Sequence, residues 1–219
     1  MSNLFNLENP VFSFLSKACD VIILSLIWIV LCIPIVTIGP NNTAMYYAVV
    51  KVVRRERGYL LREFFKSFKL NFKKGLIIGV FLTLTYVVLG FDLMWAWSNL
   101  KNGGTKGSIL LGIFAAISIL VVCFSLYVFP ILSRFEMSIK QMVKASIFMS
   151  IRHLPSTIAM IIITAAGILL VYILPLLFFI LPGAIVLLNS LLMERVFKKY
   201  MPKAETEEEN TSKDEWYLE

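Results

Sequence analysis

Long apolar runs that are almost free of charge constrain this chain more than any other feature of its sequence. The first covers residues 18–38, and the last extends from residue 157 to Glu194 with no charged side chain before that glutamate. An α-helix rises about 1.5 Å per residue, so about 20 residues cross the roughly 30 Å hydrocarbon core of a bilayer. With 58% hydrophobic residues, 16% charged residues and a mean hydropathy of +0.81, the composition is also that of a membrane protein.

The apolar runs predict an all-α polytopic membrane helix bundle with about five transmembrane helices and two cytoplasmic amphipathic helical connections. Residues 1–203 would form a single transmembrane domain, and the acidic residues 204–219 a disordered tail. Between residues 157 and 197, two prolines favour a pair of spans, and a single broken or re-entrant span is the alternative. The predicted spans cover residues 18–38, 75–97, 108–132, 157–174 and 176–193.

The longest polar interruption, residues 39–75, separates the first two spans and carries nine of the 21 basic residues. Gly39 and Pro40 are expected to end the first span, because this dipeptide is a strong turn signal. The polar residues 41–43 would then cap a helix that runs to about residue 55, and Gly58 would end it in a left-handed conformation. The first half of this connection is therefore predicted to lie on the cytoplasmic side of the spans.

The second half of the connection, from Tyr59 to about Phe72, has the pattern of an amphipathic helix. Its apolar side chains fall at i, i+3, i+4, i+7 and i+11, while basic side chains occupy the other faces. Such a stripe packs on lipid or on the protein's own spans, or it serves as a candidate partner-docking surface. The stripe consists of Leu61, Phe64, Phe65, Phe68 and Phe72.

Basic residues are distributed unevenly between the two sides of the predicted bundle. With five spans, one side receives 18 of the 21 Lys and Arg residues, and the other receives Lys17, Lys101 and Lys106. Cytoplasmic loops carry the excess of positive charge, so the C-terminus is predicted in the cytoplasm and the N-terminus outside the cell membrane. The net charge of +7 then points to anionic lipid headgroups of the bilayer as the partner, and not to nucleic acid.

Four ionisable residues lie within or beside the predicted spans, where an unpaired charge is costly. Asp20 and Asp92 are both expected toward the outer face, either at headgroup level or together lining a polar vestibule. Arg134 and Glu136 follow the third span, where they would pair with each other or anchor the second amphipathic connection. We treat these four as candidate polar membrane residues.

Residue patterns that support catalysis or metal binding are missing from the sequence. The single histidine, His153, cannot form a metal site or a catalytic triad by itself, and it is read as an interfacial residue at a helix end. Cys19, Cys32 and Cys123 fall inside apolar segments, so they are expected to be buried small hydrophobic residues. We therefore expect no enzyme activity, no metal and no cofactor.

One segment carries a resemblance to a known family. Residues 39–45, with the sequence GPNNTAM, and the basic amphipathic connection behind them resemble the YesL family of bacterial membrane proteins. The resemblance extends to the order of elements along most of the chain. The positions that carry it are Gly39, Pro40, Asn41, Asn42, Thr43, Ala44, Met45, Tyr46, Ala48, Val49, Lys51, Phe68, Phe72 and Lys73.

The resemblance to the YesL family implies a role but no chemistry. Members of that family have no assigned catalytic residues and commonly lie beside genes for sugar-uptake ABC importers. This implies an accessory or regulatory subunit for carbohydrate (oligosaccharide) uptake, with ABC importer subunits as partners of the cytoplasmic amphipathic helices. The competing expectation is a self-standing small-solute carrier or channel, which would need a polar path through the spans.

Overall fold

The computed structural model describes residues 10–101 and 105–201, which form an all-α bundle with no β-strand in this part of the chain. Short 3₁₀ segments at Ile35–Thr37 and Pro175–Phe179 join neighbouring helices, and α2 continues as a π-helix over Val49–Arg54. The predicted acidic tail, residues 204–219, lies outside the described residues. The α-helices are α1 Pro10–Cys32, α2 Ile38–Ala48, α3 Leu60–Leu70, α4 Phe72–Lys101, α5 Thr105–Arg134, α6 Ile139–Arg152, α7 Leu154–Ile173 and α8 Leu181–Phe197.

Four of the described helices are long and apolar enough to cross a membrane, which makes this a multi-pass membrane protein. The candidate spans are Phe14–Cys32, Phe72–Leu100, Gly107–Arg134 and Leu154–Ile173. The last helix, α8, has 17 residues, packs against α7 and carries Glu194 near its end. The second and third spans reach further than predicted, because α4 and α5 each contain 30 residues.

The first span ends earlier than the sequence suggests. Helix α1 stops at Cys32, ahead of Pro34, and Pro40 lies in the first turn of α2, where its missing N–H costs no hydrogen bond. The predicted capping role of residues 41–43 is therefore wrong. Asn41 instead donates from its side-chain amide to the Trp28 carbonyl at 2.8 Å, and Thr43 bonds the Gly39 carbonyl at 3.0 Å.

Helix α2 and its π-helical continuation form the centre of the bundle, and the helix predicted to run to about residue 55 is confirmed. Most of their residues are buried, including the apolar side chains of Met45, Val49 and Val53. The start of α2 crosses α4 so closely that a Cβ on Gly39 would meet the backbone of Gly75. Gly58 has a φ of +85°, so the predicted left-handed glycine after this helix is confirmed.

Helix α1 and the α2–π segment form an antiparallel hairpin, because residues from their far ends meet. Lys17, near the start of α1, lies 2.7 Å from the Glu56 carboxylate, just beyond the π-helix. At the other end of the hairpin, the Trp28 indole donates to the Asn42 amide oxygen at 2.7 Å. Lys17 therefore contacts the first basic connection, from which the loop count had separated it.

The remaining helices pack in pairs, and several of their ends meet at one end of the molecule. Helix α3 lies against α2, α4 packs along α5, and α7 packs along α8. The Lys74 ammonium, near the start of α4, donates to the Met137 carbonyl just after α5, at 2.9 Å. We call this end of the bundle the basic end. It holds the start of α4, the ends of α5 and α8, and helices α3 and α6.

Candidate functional site

Glu194 lies at the centre of a buried cluster of polar side chains at the basic end. Its carboxylate accepts a hydrogen bond from the Tyr46 hydroxyl at 2.9 Å and another from Arg134 Nε at 3.1 Å. A second Arg134 nitrogen donates to the other carboxylate oxygen, which makes the pair bidentate. The Arg134 side chain is 0% exposed and that of Glu194 is 6% exposed, so the two charges are held out of solvent.

Two further arginines approach the same cluster from the end of the π-helix. Arg55 lies 3.9 Å from the Glu194 carboxylate, and Arg54 donates to the Ser190 carbonyl at 2.8 Å. Partial burial, followed by the positive charge of Arg134, lowers the pKa of Arg55. These contacts of Arg134, Arg55 and Arg54 tie α5, the π-helix and α8 together.

A second buried ion pair attaches α3 to the π-helix. The Lys51 ammonium lies 3.0 Å from the Glu63 carboxylate and 3.3 Å from the Tyr47 hydroxyl. The Lys51 side chain is almost fully covered, as is that of Glu63. A buried pair of this kind fixes position more than it adds stability, so it sets how α3 lies on the bundle.

The predicted apolar stripe is divided between two environments. Phe64 is 0% exposed and packs with residues of α1 and α2, and Phe68 is half-buried against the same cluster. Leu61 and Phe65 are 51% and 41% exposed. Phe72 belongs to α4, and its ring centroid lies 5.6 Å from that of Phe68. Leu61 and Phe65 are therefore the part of the stripe that is open to lipid or to a partner.

Helix α6, in the second connection, likewise has one buried side and one exposed apolar side. It begins with a capping box in which Ser138 and Gln141 bond each other's backbone and side-chain groups. Met142 points into the core, while Ile147 and Phe148 are exposed. Both amphipathic helices thus present exposed apolar side chains at the basic end.

The structure separates the predicted polar membrane residues. Asp20 follows Lys17 by one turn of α1, and Asp92 lies in the distal half of α4. Arg134 has a partner that the sequence did not suggest, Glu194, and Glu136 is exposed.

His153 joins α6 to α7, as expected for a residue at a helix end. Its Nε2 lies 3.0 Å from the Tyr200 hydroxyl. Partial burial, together with the nearby Lys199 and Arg152, lowers its pKa. The three cysteines are free thiols, and the expectation that they are buried is wrong, because Cys19 is exposed and Cys32 and Cys123 are only half-buried.

A cavity of about 520 Å³ lies between the helices and reaches the buried cluster at Tyr46. Its wall is formed mainly by aliphatic and aromatic side chains from α1, α2, α4, α5, α7 and α8. The polar side chains in the wall are uncharged, and none of these residues was predicted as a site residue. They are Asn42, Tyr46, Thr83, Tyr86, Ser125, Thr164 and Asn189.

Sequence reasoning missed Glu194, Tyr46 and Asn189. Glu194 was read only as the charge that ends the last apolar run. A carboxylate in an apolar helix itself indicates a buried polar contact, because the charge needs a partner unless it reaches water. Its partner Arg134 is 60 residues away, so the pairing could not be read from spacing.

Comparison with known families gives one partial match. Residues 21–93 are similar to a family described as "Protein of unknown function, DUF624". The matched segment runs from α1 through α2 and α3 into α4, and so includes the α1–α2 hairpin and the Lys51–Glu63 pair. The chain matches no curated protein and no solved structure at a significant level.

Proposed function

We propose that this protein is an accessory or regulatory subunit of a carbohydrate (oligosaccharide) uptake system in the cell membrane. It acts through the exposed faces of α3 and α6, and its partners are membrane subunits of an ABC importer. The DUF624 match over residues 21–93 supports the resemblance to the YesL-type family from which this role is inferred.

The observation that carries the proposal is the position of α3. Phe64 and the Lys51–Glu63 pair hold one side of this helix on the bundle, while Leu61 and Phe65 stay exposed beside the basic side chains of the same helix. An anchored amphipathic helix with open apolar side chains is a common way to bind a partner protein. In this proposal the basic end faces the cytoplasm, since cytoplasmic loops carry the excess of Lys and Arg.

The proposal is tested by recovering partners from native membranes with a double variant, Leu61→Ser and Phe65→Ser. We expect the importer's membrane subunits to co-purify with the wild-type protein in mild detergent and to be lost with the double variant. The matched control is Ile113→Ser with Ile117→Ser on α5, which also removes two exposed apolar side chains but leaves α3 unchanged. Mass spectrometry identifies what is recovered.

The outcome decides between a partner surface and a lipid surface. If the wild-type protein recovers no importer subunit, or if the double variant recovers as much as the wild type, the accessory role is wrong. If the double variant fails to insert or to fold while the α5 control inserts, Leu61 and Phe65 serve the membrane interface instead.

The cavity is the observation that favours the alternative, a self-standing carrier or channel. A carrier needs a chamber between its helices, and the chamber is there. Its wall offers few polar groups and no charge, however, which suits a sugar poorly. Reconstitution of the protein alone in liposomes gives the test, because sugar flux without any partner would make the carrier the better interpretation.

A further inference from the structure

The exposed face of α3 is basic. Arg62, Lys66 and Lys69 fall at i, i+4 and i+7, so they share one face of the helix, and all three are exposed. The one acidic residue within α3, Glu63, is buried and pairs with Lys51 of the π-helix. No acidic side chain of α3 itself therefore lies on this face, and the face suits an anionic occupant.

Apolar side chains lie beside these basic ones. Leu61 and Phe65 are 51% and 41% exposed, and each directly precedes one of the basic residues, Arg62 or Lys66. An occupant that covers this side of α3 therefore meets cationic and apolar groups together. It is bound best if it combines carboxylates with aromatic or aliphatic side chains.

The C-terminal tail of the same chain, residues 204–219, has this combination. It holds seven of the chain's 14 acidic residues and one basic residue, Lys213. Residues 216–219, with the sequence WYLE, add two aromatic rings and a leucine to the acidic stretch. The tail therefore complements the exposed face of α3 in both charge and apolar content.

The tail also begins at the same end of the molecule as α3. Met201, the last described residue, follows Glu194 by two turns, and the Glu194 carboxylate lies 3.9 Å from Arg55, shortly before the start of α3. These steps put the start of α3 within about 40 Å of Met201. Residues 202–219 span up to about 60 Å when extended, at about 3.3 Å per residue. The tail is therefore long enough to reach this face.

We propose that the acidic tail docks on the exposed face of α3 in its own chain. Its carboxylates contact Arg62, Lys66 and Lys69, and its aromatic residues lie beside Leu61 and Phe65. Because the tail is tethered, its effective concentration at α3 is about millimolar, which favours it over a separate acidic peptide. Docked there, the tail covers the partner surface proposed above, a consequence that rests on the accessory role.

Helix α6 offers a weaker basic face. Lys140 and Lys144 lie one turn apart and are exposed. The third basic side chain of α6, Arg152, has its guanidinium over the Phe148 and Tyr200 rings, 5.4 Å and 6.0 Å from their centroids. Two lysines attract an acidic segment less than the three basic side chains of α3 do, so α6 serves as the competing position in the test.

Zero-length crosslinking of the wild-type protein tests the docking. The protein is kept dilute in a neutral detergent without anionic lipid and is treated with a water-soluble carbodiimide. This reagent joins a carboxylate to a lysine amine where the two are in contact, and it takes up the water that is lost to become a urea. The monomeric product is digested, and mass spectrometry locates the crosslinks. We expect tail carboxylates joined to Lys66 or Lys69, with a yield that falls severalfold in 1 M salt, where the Debye length is about 3 Å.

A variant of α3 shows whether its charge holds the tail. Arg62→Gln removes one charge from the face but keeps both reactive amines. At the salt concentration that halves the wild-type yield, this variant should lower the crosslink at Lys69 about twofold, since one exposed charge pair is lost. The matched control, Lys140→Gln, removes one exposed charge from α6 and should leave that yield unchanged.

Several results would overturn the proposal. One is the absence of any crosslink from the tail to Lys66 or Lys69, and another is crosslinking only to Lys140 or Lys144 of α6. Crosslinks confined to a dimeric product would show that the tail binds a second copy instead. Crosslinks that are lost in vesicles containing an anionic phospholipid, but kept in neutral vesicles, would assign α3 to lipid headgroups. None of these results decides the accessory role, which is tested by the importer subunits that the wild-type protein recovers.

Discussion

At the scale of single residues, the carboxylate of Glu194 connects three helices, since it accepts hydrogen bonds from Tyr46 on α2 and from Arg134 on α5. Replacing Glu194 by Gln leaves the buried Arg134 guanidinium without its counter-charge. Breaking a buried ion pair in this way costs about 3–5 kcal/mol. We expect the variant Glu194→Gln to unfold at a clearly lower temperature in detergent, as followed by circular dichroism.

A matched control for Glu194 is available on the surface. Glu56 pairs with Lys17, but both side chains are substantially exposed, so Glu56→Gln should change stability by at most about 1 kcal/mol. A double variant, Glu194→Gln with Arg134→Met, removes both buried charges and should recover part of the loss. Equal melting temperatures for Glu194→Gln and the wild-type protein would show that the buried cluster does not hold the helices together.

Gly39 gives a second prediction at this scale. A Cβ at this position would lie 2.0 Å from the Gly75 carbonyl oxygen, a distance at which two backbones must move apart. Gly39→Ala should therefore destabilise the bundle by about 1–3 kcal/mol. In the same assay Gly90→Ala serves as the control, because its Cβ would meet no atom within 4 Å and alanine favours the helix. A Gly39→Ala protein as stable as Gly90→Ala would contradict the close crossing of α2 and α4.

At the residue scale, some of these features could be predicted from the sequence. It identified Arg134 as a charge at the end of a span and Gly58 as a left-handed glycine, because both depend on local pattern. It could not supply the partner of Arg134 or the contact between Gly39 and Gly75, since these join positions far apart in the chain.

At the scale of elements, the start of α8 is capped by a side chain from another helix. No side-chain hydrogen bond from α8's own N-cap residue satisfies its first turn, but the Ser25 hydroxyl on α1 accepts from the Gly183 N–H at 2.9 Å and bonds the Ile180 carbonyl at 3.0 Å. The first N–H groups of a helix have no partner within it, so this contact replaces a cap.

The capping contact predicts that Ser25→Ala destabilises the protein by about 1–3 kcal/mol, because the Gly183 N–H is left buried without an acceptor. Thermal unfolding measures the change. Ser118→Ala is the control, since the Ser118 hydroxyl bonds only the Phe114 carbonyl one turn earlier on α5. If the two alanine variants lose the same amount of stability, Ser25 acts within α1 alone and does not cap α8.

A helix ending near residue 55 was predicted from the sequence and is confirmed by α2 and the π-helix, but its burial was not predicted. A lipid-facing span must be apolar along its length, so its sequence identifies it. Helix α2 is covered by protein, and its polar residues are satisfied by contacts such as that between Asn41 and the Trp28 carbonyl. Its basic residues fall at the far end, Lys51 to Arg55. The composition of this segment favoured a cytoplasmic helix, but in the structure the segment is a helix buried in the bundle.

At the scale of the whole molecule, the hairpin of α1 and α2 changes how the chain is placed in the membrane. Lys17 was counted among three basic residues on the outer side. The Lys17–Glu56 contact places it beside the segment that joins the π-helix to α3, within the first basic connection. The division of charge between the two ends becomes more uneven, so the rule that predicted a cytoplasmic C-terminus now predicts a cytoplasmic start of α1 as well.

The most direct measurement is the side of the membrane on which the chain begins. A reporter that is fluorescent only in the cytoplasm is fused before residue 1, and the same reporter fused after Glu219 serves as the matched control. We expect both fusions to be fluorescent, because Lys17 contacts Glu56 in the first basic connection, and Glu194 near the end of α8 contacts Arg55 in the same connection. A dark N-terminal fusion beside a fluorescent C-terminal one would place the start of α1 outside. That result would contradict the placement of the start of α1 beside the first basic connection.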